Sequence, residues 1–107
     1  MTDLVAIYCR DRKDAGDLRM QTRPAHLEWI KSAPWPIAAA GPLLADDGQT
    51  MIGSLFVVKC DDDAGVRAWA ENDPYARAGL FESVEVTGFR HLIGSGMGRG
   101  AAETSLA

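Results

Sequence analysis

Met51-Ile52-Gly53-Ser54-Leu55-Phe56-Val57-Val58-Lys59-Cys60 is the stretch that decides the fold. From Met51 to Val58 every residue is apolar or small, without the alternation that a strand with one wet face shows, so the segment reads as a strand apolar on both sides. Just before it, Asp46-Asp47-Gly48-Gln49 is turn chemistry, with Asp-Gly as a strong turn signal. Before that turn, Ile37-Ala38-Ala39-Ala40 leads into Gly41-Pro42-Leu43-Leu44 as another strand. The two strands and their turn form a hairpin. Near the start of the chain, Leu4-Val5-Ala6-Ile7-Tyr8-Cys9 repeats the doubly apolar signature.

Helices fill the intervals. Arg10 to Asp17 is polar and predicts a loop, and Leu18 to Gln21 an isolated helical turn leading in. The main helix is expected to begin near Thr22, which serves as N-cap while Pro24 takes the first turn, where a missing N–H does no harm. Two prolines in Pro34-Trp35-Pro36 end it. After the hairpin, Asp61-Asp62-Asp63 offers an N-cap and negative charge at the positive end of a second helix, which runs through Val66, Ala68, Trp69 and Ala70. Asn72-Asp73-Pro74 closes that helix. Tyr75 to Gly79 predicts one more short turn. Phe81 to His91 predicts the last strand, with Val84 and Val86 on one face and Phe81 and Phe89 on the other.

The order β-α-β-β-α-β is the ferredoxin-like arrangement of an α+β protein. Two helices cover only one face of such a sheet, yet its central strands are apolar on both. The second face is therefore expected to be covered by another copy of the chain, giving a homodimer with sheet packed on sheet. Residues 1–93 form the single domain that a 107-residue chain allows, and 94–107 a Gly-rich tail. Gly94-Ser95-Gly96-Met97-Gly98-Arg99-Gly100 departs from G-x-G-x-x-G and lacks the preceding β-to-α unit, so a flexible tail is expected rather than a phosphate loop.

Composition narrows the function classes. A formal net charge of -4 and dispersed basic residues speak against a nucleic-acid role. No apolar run nears the roughly 20 residues of a membrane span, and Met1-Thr2-Asp3 lacks the charged start of a signal peptide. A cytoplasmic protein is therefore expected. Cys9 and Cys60 are expected to be reduced thiols, at opposite ends of antiparallel neighbours and about 20 Å apart at about 3.4 Å per residue.

The functional stretch is Thr22-Arg23-Pro24-Ala25-His26-Leu27-Glu28-Trp29. Helical spacing puts Arg23 and His26 on the face that carries Leu27 and Ile30, which a helix turns inward. A charged group and a titratable ring on such a face need partners, because burying either unpaired is costly. Chain direction supplies them. Tyr8 to Arg10, His26, Gly41-Pro42, Gly53-Ser54 and Asp73-Pro74-Tyr75 all come to one end of the fold.

These segments carry a resemblance. Arg23-Pro24-Ala25-His26-Leu27, Ala40-Gly41-Pro42, Gly53-Ser54, Ala68-Trp69-Ala70, Asp73-Pro74-Tyr75 and Ala78-Gly79-Leu80, in this order, resemble the YciI-like (YCII-related) family over about Thr2 to Ile93. The chain departs from the family pattern at Pro34-Trp35-Pro36 and in its tail. The family is similar in fold to muconolactone isomerase, so the resemblance implies a dimeric α+β barrel. It also implies that His26 and Asp73 match the His–Asp pair taken as the family's candidate active site. Some related proteins act on chlorinated aromatics, one as a dehydrochlorinase.

If His26 and Asp73 hydrogen-bond, the carboxylate fixes the imidazole tautomer and leaves the other ring nitrogen free to move a proton. Ser54 is then expected to bind a substrate oxygen, Arg23 a carboxylate or developing enolate, and Tyr8 and Tyr75 to line the pocket. A Ser–His–Asp triad is disfavoured, since Ser54 lies on a strand without a nucleophile elbow. His91 is expected to be exposed and incidental. No metal or cofactor is called for by the residues present. Two functions remain: a cofactor-independent lyase or isomerase acting on a small oxygenated cyclic or aromatic substrate, and a non-catalytic module that binds or senses a small molecule in the same pocket.

Overall fold

The doubly apolar segments form the two central strands of the sheet. A computed structural model describes residues 4–95, and in it the element order is β1 (Leu4–Asp11), α1 (Leu18–Lys31), β2 (Ile37–Leu44), β3 (Met51–Lys59), α2 (Asp63–Glu71), α3 (Pro74–Arg77) and β4 (Phe81–Phe89). The strands lie in the order β2-β3-β1-β4, each antiparallel to its neighbour. This is the ferredoxin-like α+β arrangement. Twelve residues, 96–107, lie outside the described part, so the expected tail falls almost wholly there.

Register fixes what each face carries. Val5, Ile7 and Cys9 of β1 stand opposite Val58, Phe56 and Ser54 of β3. On this face they meet Ile30 of α1, Val66 and Ala70 of α2, and Val86 of β4 in one buried core. Each fully buried Val, Ile or Phe there contributes roughly 1.5–3 kcal/mol relative to an exposed one. On the other face the same strands place Leu4, Ala6, Tyr8 and Leu55, with Phe89 from β4. Tyr8 and Phe89 remain 41% and 42% exposed there, as the helices pack on the opposite side.

Helix α1 begins earlier than the sequence predicts. Asp17 flanks its first residue, Thr22 lies within it, and Leu18 to Gln21 is its first turn rather than a separate one. Pro24 removes one backbone bond, a defect that normally costs about 3 kcal/mol in a helix interior. The helix continues through it because Arg19, His26 and Ile30, at spacings of seven and four, are all buried on one side.

Local chemistry ends the other elements. Asp62 caps α2 by accepting from the Gly65 N–H at 3.0 Å. Asp73 caps α3 in the same way, and Pro74 follows it at the first helical position. Gly79, at φ 82°, ends α3 while the Leu80 N–H reaches back to the Tyr75 carbonyl at 3.0 Å.

One strand departs from simple alternation. Arg10 pairs with Ser83 but Asp11 pairs with Phe81, so Glu82 is an extra residue in β4. That bulge moves Phe81 to the helix side, where its ring meets Tyr75 edge-on at 6.0 Å. The sequence alternation, which groups Phe81 with Phe89, is thereby corrected. Among the described residues no helix is long and apolar enough to cross a membrane.

Candidate functional site

Helix α1 delivers Arg19, Arg23 and His26 toward one end of the sheet, and the caps around α3 deliver Asp73 and Tyr75 to meet them. His26 Nδ1 lies 2.9 Å from Asp73 Oδ1, an oxygen that also accepts the Tyr75 backbone N–H at 2.9 Å. His26 is 5% exposed and Asp73 1%. A carboxylate only accepts, so Nδ1 is the donor toward ionised Asp73, and in a neutral imidazole so held the lone pair is on Nε2. Asp73 Oδ2 is buried without a hydrogen-bond partner among the described residues.

Aromatic rings fix the imidazole in place. Tyr75 stacks on it with centroids 4.1 Å apart and planes 15° apart. Trp29 and Phe56 stand at 5.6 and 5.9 Å. Trp29 in turn stacks on Trp69 at 4.1 Å, and Trp35 meets Trp69 edge-on at 5.8 Å. The Pro34-Trp35-Pro36 segment thus packs into the aromatic layer behind the site.

Beside this layer lies a buried ion pair. Arg19 donates from Nε and Nη2 to the two oxygens of Asp11, each at 2.8 Å, and from Nη2 to Ser54 Oγ at 3.0 Å. Its guanidinium sits 4.7 Å from the Tyr75 ring centre. Burial works against the Arg19 charge, but Asp11 and Tyr75 outweigh it and its pKa is raised. Burial also pushes the Tyr75 phenol up, while Arg19 and Arg23 draw it down. The Cys9 thiol is raised to about 12, by burial first and by Asp73 second.

Arg19, Arg23, His26, Ser54, Phe56 and Tyr75 border a cavity of about 130 Å³. An apolar cavity of about 150 Å³ accommodates benzene, so this one matches a single ring. A larger basin of about 530 Å³ opens on the far side of Arg19, with Arg10, Arg12, Lys13 and Glu82 on its walls.

Most of the expected site residues converge here. His26, Arg23, Ser54 and Tyr75 line the cavity, and Asp73 backs His26. Tyr8 does not join them, because β1 alternation sends it to the opposite face of the sheet, paired with Leu55 and Glu85. His91 is exposed just after β4. The sequence reading misses Arg19 and Asp11. Their signal was the seven-residue step from Arg19 to His26, hidden by starting the helix at Thr22.

A ferredoxin-like sheet with a buried His–Asp pair opening on a ring-sized cavity defines a small α+β protein with a cavity on its helical side. The chain belongs to the YCII-related domain family, whose model matches residues 4–90. It is 32% identical to Protein YciI of Escherichia coli O6:H1 over 97 residues, 84% of this chain and 99% of that protein. Derivative of benzaldehyde biosynthesis cluster protein C of Emericella nidulans is 36% identical over 69 residues, 57% of this chain and 70% of that protein. Among solved structures, 5-chloro-2-hydroxyhydroquinone dehydrochlorinase (TftG) from Burkholderia phenoliruptrix AC1100, in complex with 2,5-dihydroxybenzoquinone, superposes with a TM-score of 0.73 at 29% identity, covering 82% of this chain and 94% of that one. The likeness to the structure of Rv0793 from Mycobacterium tuberculosis, with a TM-score of 0.51 at 15% identity over 89% of this chain and 99% of that one, concerns the fold alone.

Proposed function

We propose that the chain is a cofactor-independent enzyme of lyase or isomerase type, in which His26 moves a proton on a small oxygenated cyclic or aromatic substrate and Asp73 holds the imidazole. The observation that carries this reading is the 2.9 Å contact between Nδ1 and Asp73, which leaves Nε2 as the base beside a cavity the size of one ring. Ser54, Arg23 and Tyr75 are the substrate contacts. The dehydrochlorinase named above, solved with a hydroxylated quinone, supports this choice of substrate class. We also assign the protein to the cytoplasm and to a homodimer built on the exposed sheet face of Tyr8 and Phe89.

A chlorinated hydroquinone suits such a site, because its loss of HCl needs only proton movement. One hydroxyl proton is transferred to the ring carbon that bears chlorine. Chloride then leaves with the C–Cl electron pair as a second hydroxyl proton departs, and a quinone remains. No outside oxidant or reductant enters. The test is chloride release from 5-chloro-2-hydroxyhydroquinone under argon, with the wild-type protein and the His26→Ala and Asp73→Asn variants. The wild type should release chloride and His26→Ala should lose about 10²–10⁴-fold in rate, the range of general acid–base catalysis. Equal rates in the wild type and His26→Ala would refute the role of His26. Saturable binding of the ring without turnover would leave the binding module in its place.

A further inference from the structure

We infer that Arg19 is the residue that receives the anionic oxygen of the ring, and that Asp11, which does not touch the ring, is the positioning residue that aims it. The inference rests on the ring-binding reading above and deepens it. Three observations carry it.

First, the guanidinium is only partly spent. Asp11 and Ser54 take the N–H groups of Nε and Nη2, and the Tyr75 hydroxyl is a further hydrogen-bond partner of the guanidinium. A guanidinium carries five N–H donors, so at least one remains for a ligand. Arg19 is 7% exposed and borders the ring-sized cavity, which makes it a desolvated donor rather than a surface charge.

Second, its direction is fixed from two sides. The two-pronged bond to Asp11 sets the plane of the guanidinium, and the Tyr75 ring lies against it at 4.7 Å. The same Tyr75 ring stacks on His26. One phenol therefore spaces the cation from the base, and a ring oxygen on Arg19 leaves another part of the same small molecule for Nε2.

Third, Arg23 lacks this support. It is half-buried and lines the cavity, but no hydrogen bond or ion pair with another described residue holds it in one direction. A long side chain without a brace loses more conformational freedom on binding. The oxyanion role that the sequence gives to Arg23 thus moves to Arg19, and Arg23 adds charge at the rim.

The test compares two probes of one size: 2,5-dihydroxybenzoquinone, an acid that is ionised at neutral pH, and hydroquinone, which is neutral. Each is titrated into the wild type, Asp11→Asn, Asp11→Glu, Arg19→Lys and Arg23→Gln, with melting temperature measured in parallel. Asp11→Asn keeps the shape of the side chain but not its charge, and should weaken the ionised probe by about tenfold while the neutral probe changes less than about twofold. Arg19→Lys should show the same split, because an ammonium cannot bridge Asp11 and the ligand together. Asp11→Glu should recover part of the loss, and Arg23→Gln should cost less than Asp11→Asn. Equal loss of both probes in Asp11→Asn, or loss of neither, assigns the ion pair to stability alone and overturns the inference. If Asp11→Asn does not fold, Arg19→Lys decides by the same split. Failure of the parent reading looks different: the wild type then binds neither ring.

Discussion

The imidazole of His26 and the phenol of Tyr75 lie face to face, 4.1 Å apart and 15° from parallel, while Asp73 holds both residues through a single oxygen. Asp73→Ala should therefore act twice, uncapping α3 and leaving His26 Nδ1 without its partner in a buried place. A loss of about 3 kcal/mol is expected from the cap and the orphaned donor together. Asp73→Asn retains an acceptor and should cost less than half of that. Urea unfolding of the two variants beside the wild type measures the difference.

Cys9 and Cys60 should differ sharply in reactivity. Cys9 is buried and its thiol is raised to about 12, so it holds almost no thiolate at pH 8. Cys60 is half-buried and packs only against the edge of the core. Iodoacetamide at pH 8 should label Cys60 in the native protein and Cys9 only after denaturation. Peptide mass mapping at increasing urea reads both, and early labelling of Cys9 would contradict the burial described here.

The β2–β3 turn supplies a dependence on acid. Asp47 accepts from the Gln49 and Thr50 N–H groups and from the Thr50 hydroxyl. The Thr50 hydroxyl chiefly, with the two N–H groups, holds its carboxyl down at about 2 against a usual 3.8. A lowered folded value means stability that is complete above 3.8 and lost as pH falls through about 2. The Asp47→Ala variant should have a lower urea midpoint than the wild type at pH 6. At pH 2 the gap should have narrowed markedly, and the fully exposed position keeps the effect small throughout.

Gly53 of β3 pairs with Arg10 beside the backbone of β1. A Cβ added there would overlap the Cys9 carbonyl oxygen and press on Leu43 Cδ1 at 2.9 Å. Gly53→Ala should destabilise by about 1–3 kcal/mol through this crowding. Thermal denaturation measures it. Gly88, with open space around it, is the control: Ala there should change the melting temperature far less.

The exposed sheet face predicts association. Light scattering should give about twice the 11.5 kDa chain mass at micromolar concentration. Tyr8→Lys together with Phe89→Lys should shift the population toward the monomer without disturbing the core on the other side. A wild type that remains a monomer would refute the sheet-to-sheet homodimer.

Much of the architecture was legible because two independent signals agreed. The doubly apolar runs at Leu4–Cys9 and Met51–Val58 marked the central strands, and Asp-Gly between two strands marked the hairpin. His26, Asp73 and Ser54 followed from direction alone, as antiparallel elements must return to the same end. Arg19 was hidden because Pro24 suggested a helix start at Thr22, two residues upstream of it, whereas burial of three side chains on one face held the helix together through the proline. Tyr8 was misplaced for a simpler reason: a strand apolar on both faces gives no hint of which residue points where, until its partners fix the parity. Nor does any local pattern show that Asp11 meets Arg19, since that contact joins the end of a strand to the next helix across a polar loop.

Glu82 decides which face of the sheet Phe81 takes. As the extra residue in β4 it turns Phe81 toward Tyr75, and through Tyr75 it sets the seat of the His26 ring. Without the bulge, the same residues in strict alternation would put Phe81 on the far side of the sheet with every cavity-lining side chain still in the sequence. The bulge between Gly79 and Val84 is therefore as much a part of the wall behind the imidazole as the rings it turns inward.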